Sequence, residues 1–121
     1  MKNTIAVLRW PMLCGIVVSA AGCYSEADYA EDYWSVNCSK IFACYDASDI
    51  EVLSYSNEAE CLEYFAPNQD SLQAEVESET CTFDGNEAST CIQEFDELSC
   101  EDFMASELPE ACHEICEEWG D

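Results

Sequence analysis

The strongest pattern along the chain is the recurrence of apolar residues at intervals of three and four, the spacing of one helix face. One such stripe predicts a first helix ending near Tyr45 and comprises Ala30, Trp34, Cys38, Ile41 and Tyr45. A clearer stripe comprises Ala88, Cys91, Ile92, Phe95 and Leu98. A last helix, with Pro109 in its first turn, carries Leu108, Ala111, Cys112, Ile115 and Trp119. Because cysteines lie on or beside these stripes, we expect crosslinks between helices in one small core.

Two capping signals place shorter helices. Asn57 followed by Glu60 has the capping-box arrangement and predicts a helix that ends before Pro67. Ser99 and Asp102 form a second capping box, which predicts another short helix.

The remaining segments contain few helix breakers. The sequence predicts a connection over 46–56 with 50–55 extended, a weaker helix over 70–79, an extended segment over 80–83 and a turn over 84–86. Only Gly85, Gly120, Pro67 and Pro109 interrupt the chain after Cys23. The predicted fold class is therefore all-α, a small disulfide-stapled helical bundle of four to six short helices.

The first residues have the organisation of a signal peptide. Lys2 and Arg9 are basic, and the apolar stretch 10–21 is shorter than the roughly 20 residues that a membrane-spanning helix needs. The small residues 19–22 before Cys23 resemble the bacterial lipobox, with Ala20 where leucine is usual. This resemblance implies cleavage before Cys23 and a diacylglycerol on its thiol. The alternative is ordinary secretion with cleavage near Ala21.

These features divide the chain into three parts. Residues 1–22 are the predicted signal peptide, 23–28 a short lipidated tether, and 29–121 an acidic, cysteine-rich helical domain. Because Tyr24 rather than aspartate follows Cys23, we expect an anchor in the outer membrane, facing the periplasm or the cell surface. Attachment to the membrane is expected through the lipid alone.

The number of cysteines supports lipidation. Of ten in the chain, Cys14 leaves with the signal peptide and Cys23 takes the lipid, so eight remain. Ordinary secretion would leave an odd number in an oxidising compartment, whereas an even set indicates a disulfide framework. The eight are Cys38, Cys44, Cys61, Cys81, Cys91, Cys100, Cys112 and Cys116.

Helical hairpins suggest how these cysteines pair. A hairpin of the first two helices predicts Cys44–Cys61, and a tight connection near Glu107 predicts Cys100–Cys112. The other four cysteines allow three arrangements. The favoured one is Cys38–Cys91 with Cys81–Cys116, because Cys38 and Cys91 lie at the centres of the two longest stripes.

The mature chain is strongly acidic. All 27 Asp and Glu residues follow Cys23, and Lys40 is the only Lys or Arg among them, which gives a net charge of −26. Such a surface repels phosphates, so nucleic acid and anionic headgroups are not expected as partners. Two interpretations stay open: a surface that keeps a tethered protein soluble, or one that attracts a cationic protein or loosely held divalent ions.

The cysteine spacing resembles that of small cysteine-rich lipoproteins of myxobacteria and related lineages. The segments that carry the resemblance are 37–41, 58–61 and 91–112. It covers most of the mature chain and implies the same lipid-anchored, disulfide-stapled organisation, but it implies no particular activity.

Motifs for catalysis or cofactors are weak. The segment from Cys112 to Cys116 contains His113, but it is neither a haem-attachment motif nor a zinc helix. The residues after Asp84 depart from a calcium loop at its glycine and glutamate positions. His113 is the only histidine, and no Gly-x-Ser-x-Gly motif occurs. We therefore expect no cofactor, no metal and no catalytic residues.

Aromatic residues near the tether have two interpretations. Tyr24, Tyr29, Tyr33 and Trp34 could form a binding patch or pack in the core at the start of the first helix. The expected function is a non-catalytic, lipid-anchored binding or surface protein of the cell envelope. The alternatives are a small membrane-tethered enzyme or protease inhibitor, and a weak divalent-cation binder.

Overall fold

The computed structural model describes residues 24–120. The predicted signal peptide and Cys23 therefore lie outside the described residues. The described part contains six α-helices: α1 (Glu26–Cys44), α2 (Ala47–Glu51), α3 (Glu58–Tyr64), α4 (Ala66–Val76), α5 (Gly85–Asp96) and α6 (Cys100–Met104). Two 3₁₀ helices follow, Glu110–His113 and Glu117–Gly120.

The fold class predicted from the sequence is confirmed. Residues 24–120 contain no extended strand, only an isolated antiparallel bridge between Phe83 and Cys116. Within the same residues, no helix combines the length and the apolar composition needed to cross a membrane. The molecule is a small helical bundle stapled by disulfides.

Helix α1 is the axis of the bundle, because α3, α4, α5 and α6 all pack against it. It begins at Glu26, inside the segment predicted as a tether. Ser25 explains the early start: its hydroxyl accepts a hydrogen bond from the Asp28 N–H at 3.1 Å, and its own N–H donates to the Asp28 carboxylate at 3.2 Å. This reciprocal capping box satisfies two N–H groups that an open helix end would leave unpaired.

The two capping residues predicted from the sequence are confirmed. The Asn57 side chain accepts from the Glu60 N–H at 2.9 Å, and Ser99 accepts from the Asp102 N–H at 3.1 Å. The Glu60 carboxylate accepts from the Ser56 N–H at 2.8 Å, one residue before the N-cap. Each cap fixes the start of a helix that carries a disulfide cysteine.

The prediction that the helix after Asn57 ends before Pro67 is confirmed, because α3 ends at Tyr64. Pro67 itself lies in the first turn of α4, where its missing N–H needs no partner.

Other local predictions were wrong. The predicted connection over 46–56 contains α2, which Asp46 caps through the Asp49 N–H at 2.9 Å. Asp84 is the N-cap of α5 rather than the start of a free turn.

The predicted last helix is divided into the two 3₁₀ helices. Between them, the Ile115 carbonyl accepts from the Asp84 N–H at 2.7 Å, and the Glu117 N–H donates to the Thr82 carbonyl at 3.1 Å. A continuous α-helix would need those groups for its own hydrogen bonds. Pairing with 82–84 therefore replaces one turn of helix.

Two groups of buried residues flank α1. The disulfide-rich core consists of Tyr29, Val76, Ala88, Cys91, Ala111, Cys112, Ile115 and Cys116. The aromatic core consists of Cys38, Ile41, Tyr55 and Cys61, with partly buried Phe42, Tyr45, Leu53, Phe65 and Phe103 packed against them.

Four disulfides use all eight predicted cysteines, and no cysteine among the described residues is unpaired. The pairs are Cys38–Cys61, Cys44–Cys100, Cys81–Cys116 and Cys91–Cys112. Of the favoured pairings, Cys81–Cys116 agrees with the structure.

The predicted pairs Cys44–Cys61, Cys100–Cys112 and Cys38–Cys91 were wrong. Because α2 and the turn after it lie between α1 and α3, Cys61 meets the middle of α1 at Cys38 rather than its end. The end of α1 is free to meet α6, so Cys44 binds Cys100. Cys112 then pairs with Cys91, since the first 3₁₀ helix packs on α5.

Candidate functional site

A half-open cavity of about 400 Å³ lies along α1, next to the aromatic core. Its floor is one face of α1 and the residue after it, formed by Trp34, Asn37, Ile41 and Tyr45. The sequence predicted Trp34, Ile41 and Tyr45 as core residues, and only Ile41 of these three is buried. We call this cavity the aromatic groove; its volume lies within the roughly 300–1,000 Å³ range of ligand sites.

The aromatic rings that line the groove, on its floor and on its walls, form a continuous series of contacts. Successive ring centroids lie between 4.5 and 6.4 Å apart in the series Tyr55, Phe65, Trp34, Tyr33, Phe95, Phe103 and Tyr45. Rings at these distances support one another through edge and face contacts. Burial raises the pKa of the Tyr33 and Tyr55 hydroxyls, so both remain neutral.

The polar rim of the groove is formed where α6 ends. Ser106 has a φ of 62°, the only positive φ of a non-glycine residue among those the structure describes. Its N–H donates to the Phe103 carbonyl at 3.0 Å, and the Glu107 N–H donates to the Asp102 carbonyl at 3.2 Å. This is the Schellman arrangement, in which glycine is favoured at the position of Ser106. A serine there costs about 1 kcal/mol of stability relative to glycine.

Two disulfides join the groove walls to its floor. Cys38, beside Asn37, binds Cys61 of α3, and Cys44, beside Tyr45, binds Cys100 of α6. The walls therefore cannot move far from α1 while both bonds are intact.

Trp34 is the central ring of the groove. It stacks on Phe65 with centroids 4.5 Å apart and an interplanar angle of 17°. Its indole N–H (Nε1) is buried and has no hydrogen-bond partner among the described residues. A buried donor without a partner costs about 1–3 kcal/mol of stability. The described residues therefore supply no hydrogen-bond acceptor for the Trp34 indole N–H.

A second cavity of about 410 Å³ lies on the other side of Tyr33 and Trp34. It brings His113 to the same opening as Ser71 and Glu75. Within residues 24–120, however, no hydrogen bond joins His113 to either side chain.

The N-terminal aromatic residues separate into two groups. Tyr29 is only 2% exposed, and the Tyr24 hydroxyl donates to the Asp32 carboxylate at 2.7 Å. Burial raises the pKa of Asp32, while the hydrogen bond from Tyr24 opposes that shift. These two tyrosines are structural, whereas Tyr33 and Trp34 line the groove.

The acidic groups do not gather into a metal site. In the part of the chain that the structure describes, no cluster of three or more His, Cys, Asp or Glu side chains could hold a metal ion. The only base after Cys23 is Lys40, whose ammonium donates to the Leu98 carbonyl at 2.7 Å, just beyond the end of α5. Lys40 therefore stabilises a helix end, where a cation is favourable.

Sequence reasoning identified Tyr33 and Trp34 as a candidate patch but missed the rest of the groove. Phe65, Phe95 and Phe103 come from three separate elements, and each alone has the pattern of a core residue. No family model, no curated protein and no solved structure matches this chain. The resemblance to cysteine-rich lipoproteins therefore stays a prediction.

Proposed function

We propose that this protein is a non-catalytic lipoprotein of the cell envelope that binds a basic protein. The observation that carries the proposal is the aromatic groove, which opens on the surface of a mature chain with a net charge of −26. Aromatic faces attract cations, and an acidic surface raises their local concentration and association rate. Lys40 is the only Lys or Arg of the mature chain, so little positive charge opposes such a partner.

The anchor part of the proposal rests on Cys23. The four disulfides use all eight cysteines that follow it, so a lipid on Cys23 would leave no cysteine of the mature chain unpaired. Small residues at 19–22 precede it, as in a lipobox, and Tyr24 after it favours the outer membrane, facing the periplasm or the cell surface. Two or more acyl chains, at about 0.8 kcal/mol per buried methylene, would hold the domain there stably.

The anchor is tested by membrane fractionation and metabolic labelling with an alkyne fatty acid. The wild-type protein should carry the label and sediment with membranes. Cys23→Ser should lose the label and leave the membrane fraction or accumulate unprocessed. Cys14→Ser is the matched control, because Cys14 lies within the predicted signal peptide, and it should behave as wild type. Label-free wild type, or labelled Cys23→Ser, would refute the anchor.

The binding activity is tested with the purified, oxidised protein and two decapeptides of opposite charge. Calorimetry should show that the basic peptide binds at 0.05 M salt and binds more weakly at 0.15 M. The Debye length falls to about 8 Å at the higher salt, which screens the attraction between the peptide and the acidic surface. The acidic peptide should not bind at either salt. If the basic peptide fails to bind at 0.05 M salt, the domain does not recognise basic proteins.

A further inference from the structure

We infer that the aromatic groove receives the guanidinium group of an arginine side chain from the basic partner. This inference rests on the proposed function and names the group that the site recognises. It requires three properties of the groove: affinity for a cation, acceptors for planar N–H donors, and room beside them for a peptide main chain.

Affinity for a cation comes from the rings and the charge together. Trp34 stacks on Phe65 at 4.5 Å and meets Tyr33 edge-on at 5.2 Å, and all three rings line the groove. A cation over such faces is attracted by the negative potential of each ring, most strongly by tryptophan. Glu107 adds a carboxylate at the edge of the same space.

The polar rim favours a guanidinium over other cations. Asn37, Ser106 and Glu107 line the groove together, and each side chain carries at least one oxygen that accepts hydrogen bonds. A quaternary ammonium has no N–H to donate. A lysine ammonium is compact and strongly hydrated, whereas a guanidinium is planar, stacks on rings and presents five donors in a fixed fork. The rings that line the groove can stack on the planar guanidinium, and the polar oxygens can accept hydrogen bonds from its N–H donors.

Two features favour arginine within a peptide over a free small cation. The groove is open to the surface along α1, so a chain can pass across it. The Trp34 N–H has no acceptor among the described residues, and a peptide brings main-chain carbonyls on both sides of its arginine.

A substitution at Ser106 should change stability and arginine affinity in opposite directions, which a purely structural role would not do. Its positive φ is one that glycine adopts without strain, so Ser106→Gly should raise the melting temperature. The same change removes a hydroxyl acceptor from the rim and should weaken arginine binding about threefold. A gain in stability with a loss in affinity distinguishes a recognition residue from a purely structural one.

The test compares three basic peptides that differ at one central residue: arginine, lysine or citrulline, the neutral analogue of arginine. Calorimetry on the oxidised protein should show the arginine peptide binding about tenfold more tightly than the lysine peptide, with citrulline weakest. Glu107→Gln should reduce arginine affinity about tenfold. Glu79→Gln is the matched control, since Glu79 is exposed and lies outside the groove; it should change affinity less than twofold.

A second readout follows the indole N–H signals by NMR. The Trp34 signal should move on titration with the arginine peptide, whereas that of Trp119, which does not line the groove, should stay in place. Equal binding of the arginine and lysine peptides, with equal losses in the Glu107 and Glu79 variants, would overturn the groove as an arginine site and leave the proposed function standing. Absence of binding by all the basic peptides would overturn both.

Discussion

The disulfide-rich core and the aromatic core both have fully buried centres, but they differ in the side chains at their margins. In the disulfide-rich core, Cys91, Ile115 and Cys116 have no exposed surface. In the aromatic core, Tyr45, Phe65 and Phe103 remain only partly buried and face the groove. The second cavity borders Tyr29 and Cys112 of the disulfide-rich core. Under the proposed function, the aromatic core is the region whose apolar margin meets a partner.

The disulfides divide in the same way. Cys81–Cys116 joins the segment before α5 to the segment between the two 3₁₀ helices, and Cys91–Cys112 joins α5 to the first 3₁₀ helix. Cys38–Cys61 and Cys44–Cys100 join the groove walls to α1. We expect the first two bonds to protect the fold and the second two to protect the shape of the groove.

The largest expected effect separates these two roles. Cys44→Ala/Cys100→Ala opens a loop with a sequence separation of 56, and Cys81→Ala/Cys116→Ala one of 35. In the chain-entropy model, each double variant should lose about 4 kcal/mol of unfolding free energy. Hydrogen exchange should then differ: α6 loses protection in the first variant, and the segment around Thr82 in the second. The same exchange pattern in both would mean that the two cores unfold as one unit.

A substitution in the disulfide-rich core should come next in size. Ile115 is 0% exposed, so Ile115→Ala should reduce the free energy of unfolding by about 3 kcal/mol through lost packing and a cavity. Leu62, 38% exposed on α3, is the matched control, and Leu62→Ala should cost less than about 0.5 kcal/mol. Denaturant titrations of the oxidised variants provide the measurement. Similar losses at both positions would contradict the difference in coverage.

Local signals explain which parts of this fold could be predicted. The stripes of α1 and α5 and the caps at Asn57 and Ser99 depend on neighbours within one turn of the chain, and the sequence contains them fully. The division of the last helix depends on main-chain bonds to 82–84, which no local pattern encodes.

Disulfide pairing and the groove are harder to predict for the same reason. Eight cysteines permit 105 connectivities, and the choice follows from how helices pack rather than from spacing. Cys44 is nearer in sequence to Cys61 than to Cys100, yet it binds Cys100. The rim residue Ser106 carries no sequence signal, because serine at a helix end does not indicate a positive φ.

A smaller effect is expected at the groove rim. Ser106→Gly should increase the free energy of unfolding by about 1 kcal/mol, because glycine adopts the positive φ of this position without steric strain. Chemical denaturation of the two proteins measures the difference. A loss of stability would show that the serine hydroxyl, rather than its backbone, determines the energetics of this turn.

The smallest effect is a pH dependence of opposite sign at two surface carboxyls. The hydrogen bond between Glu87 and Glu114 raises the pKa of Glu87, with burial and nearby acidic groups adding to the shift. Hydrogen bonds from Thr82 lower the pKa of Glu118, whose carboxylate accepts from the Thr82 N–H at 2.8 Å. Protonation of Glu87 is therefore favoured by folding, and protonation of Glu118 is opposed.

Thermal melts of the wild type, Glu87→Gln and Glu118→Gln test these signs. As pH falls towards the ordinary pKa of 4.5, the wild type should gain stability relative to Glu87→Gln, because the raised pKa lets folded Glu87 take up its proton at a higher pH than the unfolded chain does. Below that pH, the wild type should lose its advantage over Glu118→Gln, as the Glu118 carboxylate is protonated. Parallel curves for all three proteins would contradict both assignments.

The hydrogen bond between Tyr24 and Asp32 has a mechanical consequence for an anchored protein. Tyr24 packs against the disulfide-rich core and is the residue directly after Cys23. A lipid on Cys23 would therefore be separated from the folded domain by one peptide link, about 3.8 Å between successive Cα atoms. A domain anchored in this way has almost no flexible linker, so it would stay next to the bilayer surface. A partner would have to come within a molecular diameter of the membrane to bind.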